Sequence, residues 1–424
     1  MHTQTQAVLL LTAWFSRPGP TDPKPLTPTE WGRFAQWLHA QGAAPETLLT
    51  CNDPRQVLTG WSDKTVTPER VKALLARSAA LGLAFERWQR AGLWVMIRSD
   101  EDYPTRLKKL LGHSAPPLFF GCGNRLLLDK GGIAVVGSRD ADDTDLACAS
   151  ELGRVFARQG RSVVSGGARG VDEAAMLGAL AAGGTAIGVL ADSLLRSTTS
   201  ARYRSALIAQ DLVLVSTVYP EATFNVGNAM ARNRYVYCLS DAAIVVTSRN
   251  SGGTWNGAIE DLKHRWVPLW VKREVDPNSG NAALVDRGGR WLPEEHRDLE
   301  LLTKPDGYAE PVSAMAPLLG IGSTSQSISQ HVAENASSTD YMRGGASSVP
   351  DPEHLDTYEH FVRKLETLFP SDPFTAKAAQ EKLEIDKDQL STWLARAVAE
   401  GVVAKFARPT RYQLSSLRQG RLDL

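Results

Sequence analysis

Between Gly131 and Val171 the chain reads GGIAVVGSRDADDTDLACASELGRVFARQGRSVVSGGARGV, two strand–turn–helix units in succession. The apolar run Ile133 to Val136 has the length of one buried parallel strand. Gly137, Ser138 and Arg139 stand where that strand ends. Asp142 to Gln159 reads as a helix, with Leu146, Ala149, Leu152, Val155 and Phe156 on one apolar stripe. Gly160 follows at the position of a left-handed C-cap. A second strand, Ser162 to Ser165, runs into another glycine turn, Gly166-Gly167-Ala168-Arg169-Gly170. Strands that alternate with helices in this way make a doubly wound, mostly parallel α/β sheet. Its ligand edge lies at the carboxyl ends of the strands, where helix N-termini and free N–H groups favour anions.

Two readings of the glycine turns stay open on spacing alone. Either the glycines only permit tight turns and the arginines are solvated, or both turns cradle an anion. There is no G-x-G-x-x-G, and no acidic residue follows at the spacing a ribose would need. A Walker lysine is also missing. These gaps argue against a dinucleotide or a nucleoside triphosphate, and no cofactor is expected.

The 424 residues suffice for two or three domains, and 43% hydrophobic with 22% charged residues is ordinary for a soluble protein. Lys+Arg and Asp+Glu are equal at 47 each, so a nucleic-acid surface must be local. Cys51, Cys122, Cys148 and Cys238 form no C-x-x-C pair, which argues against zinc and against a disulfide framework. Ala7 to Leu11 is too short to span a membrane and lacks preceding basic residues, so no signal peptide or membrane partner is expected, and the location expected is cytoplasmic.

Residues 1–90 read as a small helical domain. The proline-rich stretch Arg17 to Pro28 is a loop, Thr29 is placed to cap a helix bearing Trp31, Phe34, Trp37 and Leu38, and Pro68 to Ala91 reads as one further helix. Residues 91–305 form the α/β domain, with Leu93–Ile97 and Pro116–Gly121 expected to prepend a pair of strands. Within it, Tyr219 to Met230 reads as a loop over the binding edge, Ala231 to Leu239 as the start of a helix, and Trp266 to Val271 as the closing strand. Residues 306–352 are a linker, rich in Ser, Gly, Ala and Asn from Gly320 onward. Residues 353–424 regain periodicity: helices at His354–Phe369, Thr375–Leu383 and Asp388–Glu400, then strands Val402–Phe406 and Arg411–Leu414. That order describes a winged helix-turn-helix. Lys387 and Arg396 are offset by Asp388 and Glu400, whereas Lys405, Arg408, Arg411, Arg418 and Arg421 make the wing and tail basic. DNA contact and protein docking both remain open for it.

The chain resembles the DprA/Smf family of bacterial DNA-processing proteins, of the Rossmann-like SLOG-type superfamily. The likeness rests on AVVGSR at 134–139, VVSGGARGVDEAA at 163–175, GALAAGGTAIGVLA at 178–191, VYP at 218–220, ARNRYVYCLSD at 231–241, SGGT at 251–254 and SGNAALVDRGG at 279–289. It departs from the family where Met230-Ala231 precede Arg232, where Tyr235 follows Arg234, and in SGGTWNGA after the fifth parallel strand. The resemblance implies an extended Rossmann-like domain flanked by a SAM-like helical domain and a winged helix. It also implies single-stranded DNA binding without catalysis, a homodimer, and loading of a RecA-type recombinase in transformation. A DprA-like partner or antitoxin paired with a toxin in phage defence is the alternative. The site residues it points to are Gly137, Ser138, Arg139, Ser165, Gly166, Gly167, Arg169, Arg232, Asn233, Arg234, Ser251, Gly252, Gly253 and Thr254.

From the residues themselves, Arg139, Arg169, Arg232 and Arg234 are expected on one edge of the sheet, where guanidinium forks suit phosphodiesters. Asn233 either bonds a base edge or holds the arginines. Tyr219, Phe224 and Tyr235 are placed to stack on bases, and Tyr235 can equally be core. The competing enzyme reading is a phosphoribohydrolase with G-G-x-G-T-x-x-E. Here position 257 is glycine where the glutamate should stand, and Glu260 falls about one helical turn later.

Overall fold

A computed structural model of the chain describes residues 1–304, apart from 52, 275–278 and 294–298, and discontinuous stretches between 361 and 414. Two compact units divide it, residues 1–323 and 324–424. The reading of 306–352 as a linker lies outside the described residues, as do Lys387, Asp388, Arg396, Glu400, Arg408, Arg418 and Arg421.

The first unit opens with α1 (Thr3–Thr12), α2 (Pro28–Ala40), α3 (Pro68–Leu75) and α4 (Ser78–Arg90). Thr27, not Thr29, caps α2: its hydroxyl accepts from the Glu30 backbone N–H while the Glu30 carboxylate accepts from the Thr27 N–H. This capping box satisfies two otherwise orphaned donors. Pro68 to Ala91 is not one helix. It breaks at Ala76-Arg77, where the Arg77 guanidinium turns back to the carbonyls of Leu10 and Ala13 at the end of α1.

Nine strands follow: β1 (Trp94–Ile97), β2 (Leu118–Gly123), β3 (Gly132–Val136), β4 (Ser162–Ser165), β5 (Ala186–Leu190), β6 (Leu212–Ser216), β7 (Ala242–Val245), β8 (Leu269–Val271) and β9 (Arg290–Trp291). They form one sheet in the order β1-β2-β6-β5-β4-β3-β7-β8-β9. β1 and β2 are antiparallel to their neighbours and the other seven are parallel, as a doubly wound sheet requires. The expected strand pair is therefore prepended, alongside β6. The far edge differs from expectation, because the two-residue β9 pairs outside β8.

Side-chain alternation assigns the faces. Ile133, Val135, Val163, Ala186, Leu212, Leu214 and Ile244 share a core with α5 (Asp143–Arg158), α6 (Val171–Ala181) and the apolar sides of α1–α4. Ala134, Val164, Ile187, Val189, Val213, Val215 and Val245 pack on the other face against α7 (Val226–Cys238) and α8 (Gly253–His264). Both faces are thus covered, which is why these strands read as unbroken apolar runs. Winding reverses between β3 and β7: the chain proceeds outward from β3 to β6, then returns to β3's other side.

In the second unit, α9 (Ala376–Leu383) and the hairpin β10 (Val403–Phe406) with β11 (Arg411–Leu414) surround a core of Phe361, Leu365, Phe374, Ala379, Leu390, Leu394 and Val403. Among the described residues of the chain no helix is long and apolar enough to cross a membrane.

Candidate nucleic-acid interface

The two glycine turns meet over the carboxyl ends of β3 and β4. Gly170 has φ +99° and lies so close to the Ser138 carbonyl and the Arg139 backbone that a Cβ would collide with both. At Gly166 a Cβ would occupy the position of the Arg232 guanidinium. Glycine is demanded at these two points by close approach.

Beneath the turns sit two buried ionisable groups, Arg232 and Asp172. Arg232, on α7, is 6% exposed, and its Nη1 donates to the Val189 carbonyl at the end of β5. Asp172, in the first turn of α6, is also buried. Burial pushes its carboxyl above the ordinary range, against the pull of Arg232 and of the backbone N–H groups of Ala168, Gly137 and Gly166. Burial likewise pulls the Arg232 guanidinium down, while Asp172 supports its charge, Arg139 opposes it and Asp192 adds a smaller support. Asp172 thus occupies N–H groups from both turns, and exposed arginines supply the free positive charge.

Above the pair opens a cleft of about 400 Å³, lined by Arg139, Arg169, Arg232, Asp192, Ser197 and Phe224 together with the Gly166-Gly167-Ala168 backbone and Leu190-Ala191. Arg139 and Arg169 are exposed. The Arg139 guanidinium lies over the Phe224 ring at 4.6 Å from its centroid, and Phe224 is 47% exposed. This is a cation–π contact with one ring face left to solvent. The loops forming the far wall are joined by Ser193 N–H to the Ala222 carbonyl (2.7 Å) and Leu195 N–H to the Pro220 carbonyl (3.0 Å).

Arg139, Gly166, Gly167, Arg169 and Arg232 are therefore brought together, and the remaining expected residues lie elsewhere. Ser165 is fully buried and donates to the Val135 carbonyl at 2.6 Å. Gly137 packs on Val171, and the Ser138 hydroxyl accepts from the Asp140 N–H. The helix of the RNR element begins at Val226, capped by the Asn225 side chain, five residues before the expected start. Arg232 and Arg234 consequently lie mid-helix, about 200° apart around its axis. Arg234 faces α8 and pairs with Glu260 at 3.1 Å. Asn233 donates to the Gly253 carbonyl at 2.9 Å, so it holds the Ser251-Gly252-Gly253-Thr254 turn, which does not line the cleft. Tyr235 is core, edge-to-face with Phe119 at 6.1 Å, and Tyr219 packs partly buried on the other core. Sequence reasoning missed Asp172 and Asp192. The signal for Asp192 was a lone acid just after β5, matching the positions of Arg139 after β3 and Arg169 after β4.

Fold and cleft define a Rossmann-like α/β protein with an arginine-lined site at the carboxyl edge of its parallel strands. Residues 94–302 match the family of DNA recombination-mediator protein A, so this α/β unit is similar to that family. It is 27% identical to the DNA processing protein DprA of Bacillus subtilis over 271 residues, 61% of this chain and 90% of the relative. The structure of DNA processing protein A from Streptococcus pneumoniae superposes with TM-score 0.50 at 19% identity, over 63% of this chain and 95% of that one. A DNA processing protein A from Helicobacter pylori, studied for its single-stranded DNA binding mode, aligns with TM-score 0.41 at 25% identity, over 47% of this chain and 90% of that one.

Proposed function

We propose that the cleft binds single-stranded DNA without cleaving it, and that the protein acts as a recombination mediator. One observation carries the reading: Arg139 and Arg169 share a cleft with an exposed ring, Phe224, already stacked on one of them. Guanidinium groups engage phosphate oxygens whatever the sequence, and a free ring face accepts an unpaired base. A duplex keeps its bases stacked inside and offers no such face. The likeness of residues 94–302 to that family supports a DNA-processing role. The enzyme alternative loses its candidate base, because Glu260 is engaged by Arg234 away from the cleft.

On this reading the chain works as a homodimer that protects single strands and loads a RecA-type recombinase, in the cytoplasm. The second unit is a winged helix that serves DNA or a protein partner. The test is a gel-shift comparison of single-stranded and duplex DNA of equal length. Tighter binding of the single strand, lost in Arg139→Ala, is expected. Equal duplex binding, or binding indifferent to Arg139→Ala, sinks the proposal.

A further inference from the structure

The cleft contains one group that phosphate binding does not explain. Asp192 contributes a carboxylate to a wall otherwise made of arginines, small residues, Leu190, Ser197 and Phe224. Asp192 adds electrostatic support to the Arg232 guanidinium behind that of Asp172, but forms no ion pair with it, and the hydrogen bond of that guanidinium goes to the Val189 carbonyl. Among the described residues the Asp192 carboxylate enters no hydrogen bond or ion pair. A carboxylate beside a phosphate site repels the ligand unless something in that ligand donates to it.

Its position is fixed in advance. The next residue, Ser193, has φ 43°, a left-handed conformation in a non-glycine residue, and its N–H is tied to the Ala222 carbonyl. That bond sets Asp192 beside the segment carrying Phe224, whose exposed face is where a base would stack. A stacked base turns its edge, not its face, toward the neighbouring wall. DNA within a strand has no free sugar hydroxyl, so the donors available to Asp192 are those on base edges.

We propose that Asp192 reads the base stacked on Phe224 and favours guanine over thymine. The inference rests on the single-stranded DNA reading of the same cleft. Guanine offers N1–H and an N2 amino hydrogen side by side, two parallel donors for the two carboxylate oxygens. Thymine offers one N3–H between two carbonyl oxygens that repel a carboxylate. A bidentate base contact discriminates by about tenfold.

The experiment is fluorescence anisotropy of the full chain with three labelled oligonucleotides of equal length. One alternates thymine and guanine, one replaces guanine by hypoxanthine and so lacks only the N2 amine, and one is oligo-thymidylate. The wild type is expected to bind the guanine strand about tenfold more tightly than thymidylate, with hypoxanthine between. Asp192→Asn should abolish the ranking while raising affinity for thymidylate, because a repelling charge is gone and the half-buried side chain keeps its shape. Equal wild-type affinities, or a ranking that survives in Asp192→Asn, overturn the base-reading role. Arg139→Ala separates the two levels. If it weakens all three strands while no ranking exists, the cleft still binds DNA and only the role of Asp192 fails. If it leaves every affinity unchanged, the DNA reading of the cleft fails with it.

Discussion

Arg232 and Arg234 leave one helix in opposite directions: the first is buried against the Val189 carbonyl under the cleft, and the second is paired with Glu260 at 3.1 Å on the neighbouring helix. Residues two apart on an α-helix cannot face one groove. The R-N-R element therefore divides its labour. Arg232 supports the glycine turns, Asn233 clamps the turn before α8, and Arg234 fastens α7 to α8. The charge offered to an incoming anion comes from Arg139 and Arg169.

Salt dependence separates these roles. Arg169→Ala removes an exposed phosphate contact, so the slope of log affinity against log salt for single-stranded DNA should become shallower by up to about 0.7. Arg139→Ala should do the same and also free Phe224. Arg234→Ala should leave the slope unchanged, since its guanidinium serves Glu260. Anisotropy over a salt series measures all three. An Arg234→Ala slope as shallow as that of Arg169→Ala would return Arg234 to the groove.

The buried pair predicts non-additive stability. Arg232→Met takes the donor from the buried Val189 carbonyl and the favourable charge from Asp172, at a cost of roughly 1–3 kcal/mol. Asp172→Asn in the same background removes the stranded charge and should recover part of that loss. Urea denaturation of wild type, both single variants and the double variant gives the coupling directly. Additive losses would mean that the two groups do not interact.

Asp261 offers a pH test. It is fully buried on α8; burial raises its carboxyl well above the ordinary range, and the N–H of Val267 at 3.2 Å is all that opposes this. With the folded value above the unfolded one, the folded state holds a proton that the unfolded state has released. Its contribution is therefore complete below the unfolded value and is lost as pH rises through the folded one. Asp261→Asn keeps the acceptor for Val267 and cannot ionise. The variant should match wild type in acid and exceed it above the raised value, as read from denaturation midpoints across pH. Parallel curves would show that the group titrates normally.

The parts of this fold that the sequence made legible are those decided locally. Ile133–Val136 and Ser162–Ser165 are strands because short apolar runs ended by glycine have few alternatives in a covered sheet. What stayed hidden depends on distant partners. The break at Ala76-Arg77 exists because Arg77 finds the carbonyls of Leu10 and Ala13 some sixty residues away in the chain. The first turns of α7 read as loop because Val226 and Met230 are exposed, so no apolar stripe marks them. Starting the helix too late then placed four arginines on one edge, when the structure gathers three. Asp192 escaped notice because the pattern sought was cationic.

The start of α2 shows how one cap is resolved. Thr27 and Thr29 are both hydroxyl residues near the first turn, and only the capping-box spacing to Glu30 distinguishes them. The Glu30 carboxylate also receives Arg70, at 2.9 Å. Burial alone would raise that carboxyl, but the Arg70 hydrogen bond and the Thr27 N–H bring it down to about 2. Its folded value is depressed, so its contribution is present above the unfolded value and is lost as pH falls toward about 2. Thr27→Ala should destabilise the protein by about 1 kcal/mol, as loss of an N-cap does. Thr29→Ala, at an exposed position inside the helix, should be neutral or slightly stabilising. Glu30→Gln should flatten the acid limb of the stability curve. Chemical denaturation of the three variants at neutral and acid pH provides the measurement. If Thr29→Ala costs as much as Thr27→Ala, the helix begins two residues later than described.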